Sequence, residues 1–148
     1  MTIKKQLEDS LKEAMKAKDD ERKKTLRLAL SSITLAEKEK ISKLDDQAII
    51  SILQKEIKIR QDSISESKDI NRTNLIAGYN NEIKILSSFL PEQLSEDQIR
   101  TIVNEVITEI GATNIKEMGK VMKISITKIQ GKAPNNIISN IVKEELNK

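Results

Sequence analysis

Apolar residues recur along this chain at intervals of three and four, the period of a helix that buries one face. Ile3, Leu7, Leu11 and Met15 form the first stripe and predict a helix over about Thr2–Lys18, capped by Thr2. After a turn at Lys18-Asp19-Asp20, a second helix is expected to about Lys40, with Asp19 or Asp20 as its cap. Leu26, Ala29, Leu30, Ile33 and Ala36 make its main face, and Leu28 and Leu35 lie off it. Such wide apolar coverage predicts a central element that touches neighbours on two sides. The third helix is expected over about Asp45–Ser67, with Ile49, Leu53, Ile57 and Ile64 inward and Ile50 and Ile52 beside them. The fourth covers about Thr73–Leu90, with Leu75, Tyr79, Ile83, Leu86 and Leu90 as its stripe. Asn71, in the turn between them, tolerates left-handed geometry and is placed to end the third helix.

The pattern breaks at Ser88-Phe89-Leu90-Pro91-Glu92-Gln93-Leu94-Ser95. Pro91 removes a backbone donor and disfavours helical geometry at Leu90. Ser95 can cap a new helix whose first turn carries Glu96 and Asp97, the charge that a helix N-terminus favours. Ile99, Ile102, Val103, Val106 and Ile110 are its inward positions, and Gly111 is its left-handed stop. Asn114 and Glu117 have the spacing of a capping box before a helix over about Ile115–Gln130, where Gly119 can split off a short turn. Gly131 ends that helix, and Pro134 suits the first position of the last one, which runs to about Leu146. The expected fold is all-α. A bundle of about four long helices over residues 1–90 is followed by a Pro-containing joint at 91–94 and a small three-helix domain over 95–148.

Composition narrows the chemistry. The 148 residues include neither Cys nor His. Disulfides, thiolate catalysis, imidazole bases and Cys-ligated metals are thereby excluded. Four Gly and two Pro leave little room for hairpins. No apolar run approaches the roughly 20 residues that span a bilayer. The charged N-terminus lacks a secretory pattern, so a cytoplasmic protein with no membrane partner is expected. Acid pairs such as Asp19-Asp20 and Asp45-Asp46 fall where caps are needed, and no nucleophile stands near a base. We therefore expect no catalytic residues, no cofactor and no metal.

Charge is unevenly placed. Residues 91–110 hold one Arg and five acids, whereas residues 111–148 hold seven Lys and three Glu. Lys follows Gly at Gly119-Lys120 and at Gly131-Lys132, and Lys116, Lys123 and Lys128 lie nearby. Helical spacing brings Lys116, Lys120 and Lys123 toward one side. Ammonium groups beside a glycine can hold a phosphodiester backbone that approaches closely. The same residues also suit a solvated surface with structural glycines. In the first half, Glu56 and Arg60 have the spacing of an ion pair within one helix, worth about 0.3–0.5 kcal/mol. Alternatively, Arg60 reaches an acid on another helix, with Glu82 the candidate. Gly78 marks either a close helix crossing or a weak spot.

Several stretches carry a resemblance. Phe89-Leu90-Pro91-Glu92-Gln93-Leu94-Ser95, Gly111-Ala112-Thr113, Met118-Gly119-Lys120-Val121-Met122 and Gly131-Lys132-Ala133 resemble the GatB/YqeY family in its stand-alone YqeY-like form. Lys58-Ile59-Arg60-Gln61-Asp62-Ser63 is similar to that family's N-terminal half. Pro134-Asn135 departs from the Asp-Gly often found in the family, and Asn71 from its Gly. The resemblance implies an N-terminal helical domain joined to one similar to the tail of the aminoacyl-tRNA amidotransferase B subunit, a tRNA-contacting module. Glutamine hydrolysis and amide transfer belong to domains absent from this pattern, so an inherited carbon–nitrogen ligase label is not expected to describe the chain. The expected function is that of a non-catalytic tRNA-binding accessory protein, with Lys116, Gly119, Lys120, Lys123, Lys128, Gly131 and Lys132 as the contact. The alternative is a protein–protein adaptor for an amidotransferase or aminoacyl-tRNA synthetase, in which Leu28 and Leu35 form an exposed patch.

Overall fold

The computed structural model describes residues 2–67 and 73–148; the turn expected at Lys68–Asn71, including Asn71 as a helix end, lies outside the described residues. The fold is all-α, in the order α1 (Ile3–Lys16), α2 (Asp20–Lys40), α3 (Asp46–Ser67), α4 (Thr73–Ser87), α5 (Glu96–Ile110), a 3-10 turn (Ile115–Glu117), α6 (Met118–Ile129) and α7 (Asn135–Leu146). The helices fall into two compact units, Met1–Leu90 and Pro91–Lys148.

In unit 1, local caps start the helices. The Thr2 and Asp19 side chains accept the N–H groups of Lys5 and Arg22, and Asp45 accepts that of Ala48 at 2.9 Å. Each satisfies an amide that the helix itself leaves free. The α2 end is less ordinary. It stops at Ile41, a β-branched residue held in the left-handed region at φ 55°. Its side chain is 91% exposed. Glu37 braces this corner, taking Lys4 Nζ at 2.7 Å and the Leu44 N–H at 3.0 Å. Those two donors hold its carboxyl below the usual range. Asp46 reaches back to accept the Ile3 N–H at 3.1 Å, tying the start of α3 to the start of α1.

The core of unit 1 gathers Ile3 and Leu7 with Leu26, Ile33, Ile49, Leu53 and Leu86. Each such side chain contributes roughly 1.5–3 kcal/mol on burial. Met15 and Leu75, expected inward, are exposed at helix ends. Leu28 and Leu35, expected to touch a second neighbour, are exposed as well. Arg60 is buried and serves both readings of the sequence at once. Its Nη1 donates to Glu56 at 2.9 Å and its Nε donates to Glu82 at 3.1 Å. A Cβ at Gly78 would meet nothing within 4 Å, so no close helix crossing requires that glycine. α4 ends at Ser87 rather than near Leu90. Ser88, Phe89 and Leu90 tighten into i→i−3 hydrogen bonds before the proline, and the Ser88 hydroxyl donates to Ile85 O at 2.6 Å. Phe89 remains in the core, with the Arg22 guanidinium 6.0 Å above its ring.

In unit 2, Ser95 and Gln98 close a reciprocal capping box on α5, and Gly111 at φ 69° ends it. Ile99, Val103, Val106, Val121, Ile129, Ile138 and Val142 form the core between α5, α6 and α7. Pro134 stands at the N-cap of α7, one position earlier than expected. Arg100 on α5 clamps α7 through Glu144 at 3.1 Å and Glu145 at 2.6 Å.

Candidate nucleic-acid interface

The lysine-bearing stretch of unit 2 starts from two side chains that fold the chain locally. Asn114 Oδ1 accepts the Lys116 N–H at 2.9 Å, and Glu117 Oε2 accepts the Thr113 N–H at 2.6 Å. Glu117 thus reaches one residue beyond the capping-box partner expected for it. These bonds set the 3-10 turn, and α6 begins at Met118, just before Gly119. Glu117 stands at the N-cap of α6 but places no side-chain bond there.

Along α6, Val121, Ser125 and Ile129 are buried. At about 100° per residue, Lys120 and Lys123 fall opposite that line. Both are exposed, as is Lys116. Gly119 has helical backbone, and a Cβ there would meet nothing within 4 Å. Neither backbone geometry nor packing within the chain requires glycine at this position. Gly131 differs. It sits at φ 77°, directly after Gln130 at φ 52°, so the chain makes a left-handed stop of two residues. That stop is pinned from the other side. Lys132 O accepts the Leu94 N–H at 2.8 Å, and Gly131 O accepts Gln93 Nε2 at 3.1 Å. The segment expected as a joint therefore contributes two bonds to the Gly131-Lys132 turn. Lys132 is exposed.

Lys128 has a different setting. Its Nζ is 2.8 Å from Glu109 Oε1 on α5. No local pattern marks that pair, because the partners are 19 residues apart and on different helices. On the outer side of α5, Thr101, Asn104, Glu105, Thr108 and Glu109 line a shallow depression of about 570 Å³. Its carboxylates disfavour a phosphate, whereas the lysine stripe favours one. Among the described residues, the groups with displaced pKa are Lys5 and Arg100, held up by Asp9 and by Glu145 with Glu144, and Glu37 and Glu145, held down by Lys4 and Arg100. Each belongs to an ion pair that joins structural elements or braces one helix. Among the described residues, no three acidic side chains are grouped as metal ligands.

A family model described as "Yqey-like protein" matches residues 4–146. Curated yeast proteins named "Altered inheritance of mitochondria protein 41, mitochondrial" are also similar. The one from Vanderwaltozyma polyspora is 31% identical over 150 residues, covering 95% of this chain and 80% of its own length. The one from Lachancea thermotolerans is 38% identical over 111 residues, 73% of this chain. The one from Kluyveromyces lactis is 36% identical over 108 residues, 70% of this chain. The matches span 59% and 58% of the Lachancea and Kluyveromyces proteins. These names overturn the expectation of a cytoplasmic protein, since all three relatives are called mitochondrial.

Proposed function

Because the chain belongs to the Yqey-like protein family, we propose that it is a non-catalytic RNA-binding accessory protein, with tRNA as the RNA and unit 2 as the contact. The observation that carries this reading is Gly119. It is a helical glycine with open space where its side chain would be, set among the exposed Lys116, Lys120 and Lys123. A phosphodiester backbone lying across that point would meet three ammonium groups and no Cβ. Lys132, exposed on the turn after α6, is a further lysine of unit 2 that this reading assigns to the contact. Lys128 joins it by exchanging Glu109 for phosphate. The resemblance of this unit to the amidotransferase B-subunit tail supports tRNA over other RNAs. The relatives' names bring a mitochondrial setting to the same reading.

The test is a tRNA gel-shift titration of the full chain and of a Lys120→Glu, Lys132→Glu variant. Affinity should fall with salt, log K changing by about −0.7 to −0.9 per phosphate contact for each tenfold rise. The variant should bind at least about tenfold more weakly and keep its helical circular dichroism. Unchanged retention by the folded variant would reject these lysines as the contact.

A second reading has its own observation. Leu28 and Leu35 are 45% and 60% exposed on α2, as an adaptor for a synthetase or amidotransferase component requires.

A further inference from the structure

An open groove of about 530 Å³ runs beside α2 in unit 1. Leu11 of α1 and Leu30 and Leu35 of α2 supply its apolar lining, and Arg27 and Lys38 stand along it. The opposite side of α2, with Leu26, Ala29 and Ile33, is already committed to the core. The solvent side carries a second seam. Lys24, Leu28, Ser31, Leu35 and Lys38 follow one another at alternating steps of four and three, the spacing a neighbouring helix reads as knob positions. Positive charge marks the edge of this seam toward α1. By helical rotation Glu21 and Glu39 fall beyond the leucines, away from the groove.

We propose that this groove receives an amphipathic helix of a partner protein. That helix would have apolar anchors spaced i, i+3 or i+4, and i+7, and Asp or Glu along the edge that meets Arg27 and Lys38. The inference rests on the adaptor reading and is independent of the RNA reading. Charge complementarity selects the occupant: the lining includes two cations and no acid. A second copy of α2 is a poorer match. Meeting along Leu28 and Leu35, it would leave Leu11 and Leu30 uncovered, and an antiparallel pair would bring Arg27 of each copy toward the Lys38 end of the other, cation toward cation. RNA is poorer too, because three leucines offer base edges no hydrogen bond and base faces no aromatic platform.

The test uses the full chain carrying photoreactive benzoylphenylalanine at Leu35, or at Ile59 on α3 as a second exposed position. After irradiation in cells, the crosslinked peptides are sequenced by mass spectrometry. Leu35 should capture a protein segment with the stated spacing and acidic edge. The same probe in an Arg27→Glu, Lys38→Glu variant should capture it about fivefold less, since reversed charge at an interface edge slows encounter. Both side chains are exposed, and circular dichroism checks that the variant folds. Capture of a second copy, RNA, lipid or a segment without the acidic edge overturns the inference, as does undiminished capture by the variant. Protein captured from Ile59 but not from Leu35 overturns the groove and leaves only an adaptor that works through α3 rather than through Leu28 and Leu35. Capture from neither position overturns both.

Discussion

Arg60 Nε lies 3.1 Å from Glu82 Oε2, so a guanidinium on α3 is bound to a carboxylate on α4 inside unit 1. The same guanidinium takes Glu56 Oε2 and the Glu56 backbone oxygen, each at 2.9 Å. Glu56 in turn accepts the Ser32 hydroxyl of α2 at 3.1 Å. Three helices meet at one cation whose side chain is 8% exposed. Apolar contacts slide easily along helix faces, but a fork of fixed donors has one good register. The network ties α2, α3 and α4 to one another.

Replacing Arg60 with Met keeps much of the volume and removes the fork. It leaves Glu56 and Glu82 facing each other across a half-buried site without their shared cation. Breaking a buried pair from one side costs about 3–5 kcal/mol. Here the carboxylate side chains remain 22% and 18% exposed, so a loss of about 2–4 kcal/mol is expected. Urea denaturation of the variant checks this. A loss below 1 kcal/mol would make the network ornamental.

Acid should loosen unit 2 through Glu145. Arg100, and then Lys148, hold its carboxyl below the usual range, against the opposing effect of burial. A folded-state value below the unfolded one means that its stabilisation is complete above the unfolded value. That stabilisation is lost as pH falls through the folded value. Stability should thus decline below roughly pH 4.5, where unfolded glutamates titrate. Glu145→Gln should be less stable at neutral pH and show a shallower acid limb when α5 and α7 amides are followed by hydrogen exchange.

Much of this fold was legible because its signals are local. Thr2, Asp19, Ser95 and Gly111 act on amides or carbonyls within four residues, so composition and spacing identify them. Errors arose where pattern and partner separate. Leu90 continued the α4 stripe, but the pre-proline restriction had already drawn the chain into a tighter turn from Ser88. Met15 and Leu75 keep the helical period at ends that extend past the core. Ile41 as a left-handed stop has no sequence signal, because β-branched residues avoid that region. For the candidate site, the exposed faces of Lys120 and Lys123 follow from periodicity alone. The Lys128–Glu109 pair and the pinning of Lys132 by Leu94 depend on packing between distant segments.

Ser125 is a defect the sequence could not announce. Its hydroxyl is fully buried in the α6 core face, and no group among the described residues hydrogen-bonds it. Leaving a buried hydroxyl unmatched costs about 1–3 kcal/mol. Ser125→Ala removes that cost and adds helix propensity. It should stabilise unit 2 by about 1 kcal/mol, seen as slower exchange of α6 and α7 amides. Faster exchange would mean that the hydroxyl has a partner in solution.

Gly119→Ala separates the fold from its use. A helical glycine with no neighbour within 4 Å should accept a methyl group without strain. The substitution should stabilise the fold by about 0.4–1 kcal/mol through lost unfolded-state freedom. If the lysine stripe holds RNA with its backbone close to this helix, the methyl group also lifts that backbone away. tRNA affinity should then fall several-fold while thermal stability rises. These opposite signs are difficult to produce by general damage, which lowers both. A variant that is more stable and binds tRNA as before would show that Gly119 is no part of the contact.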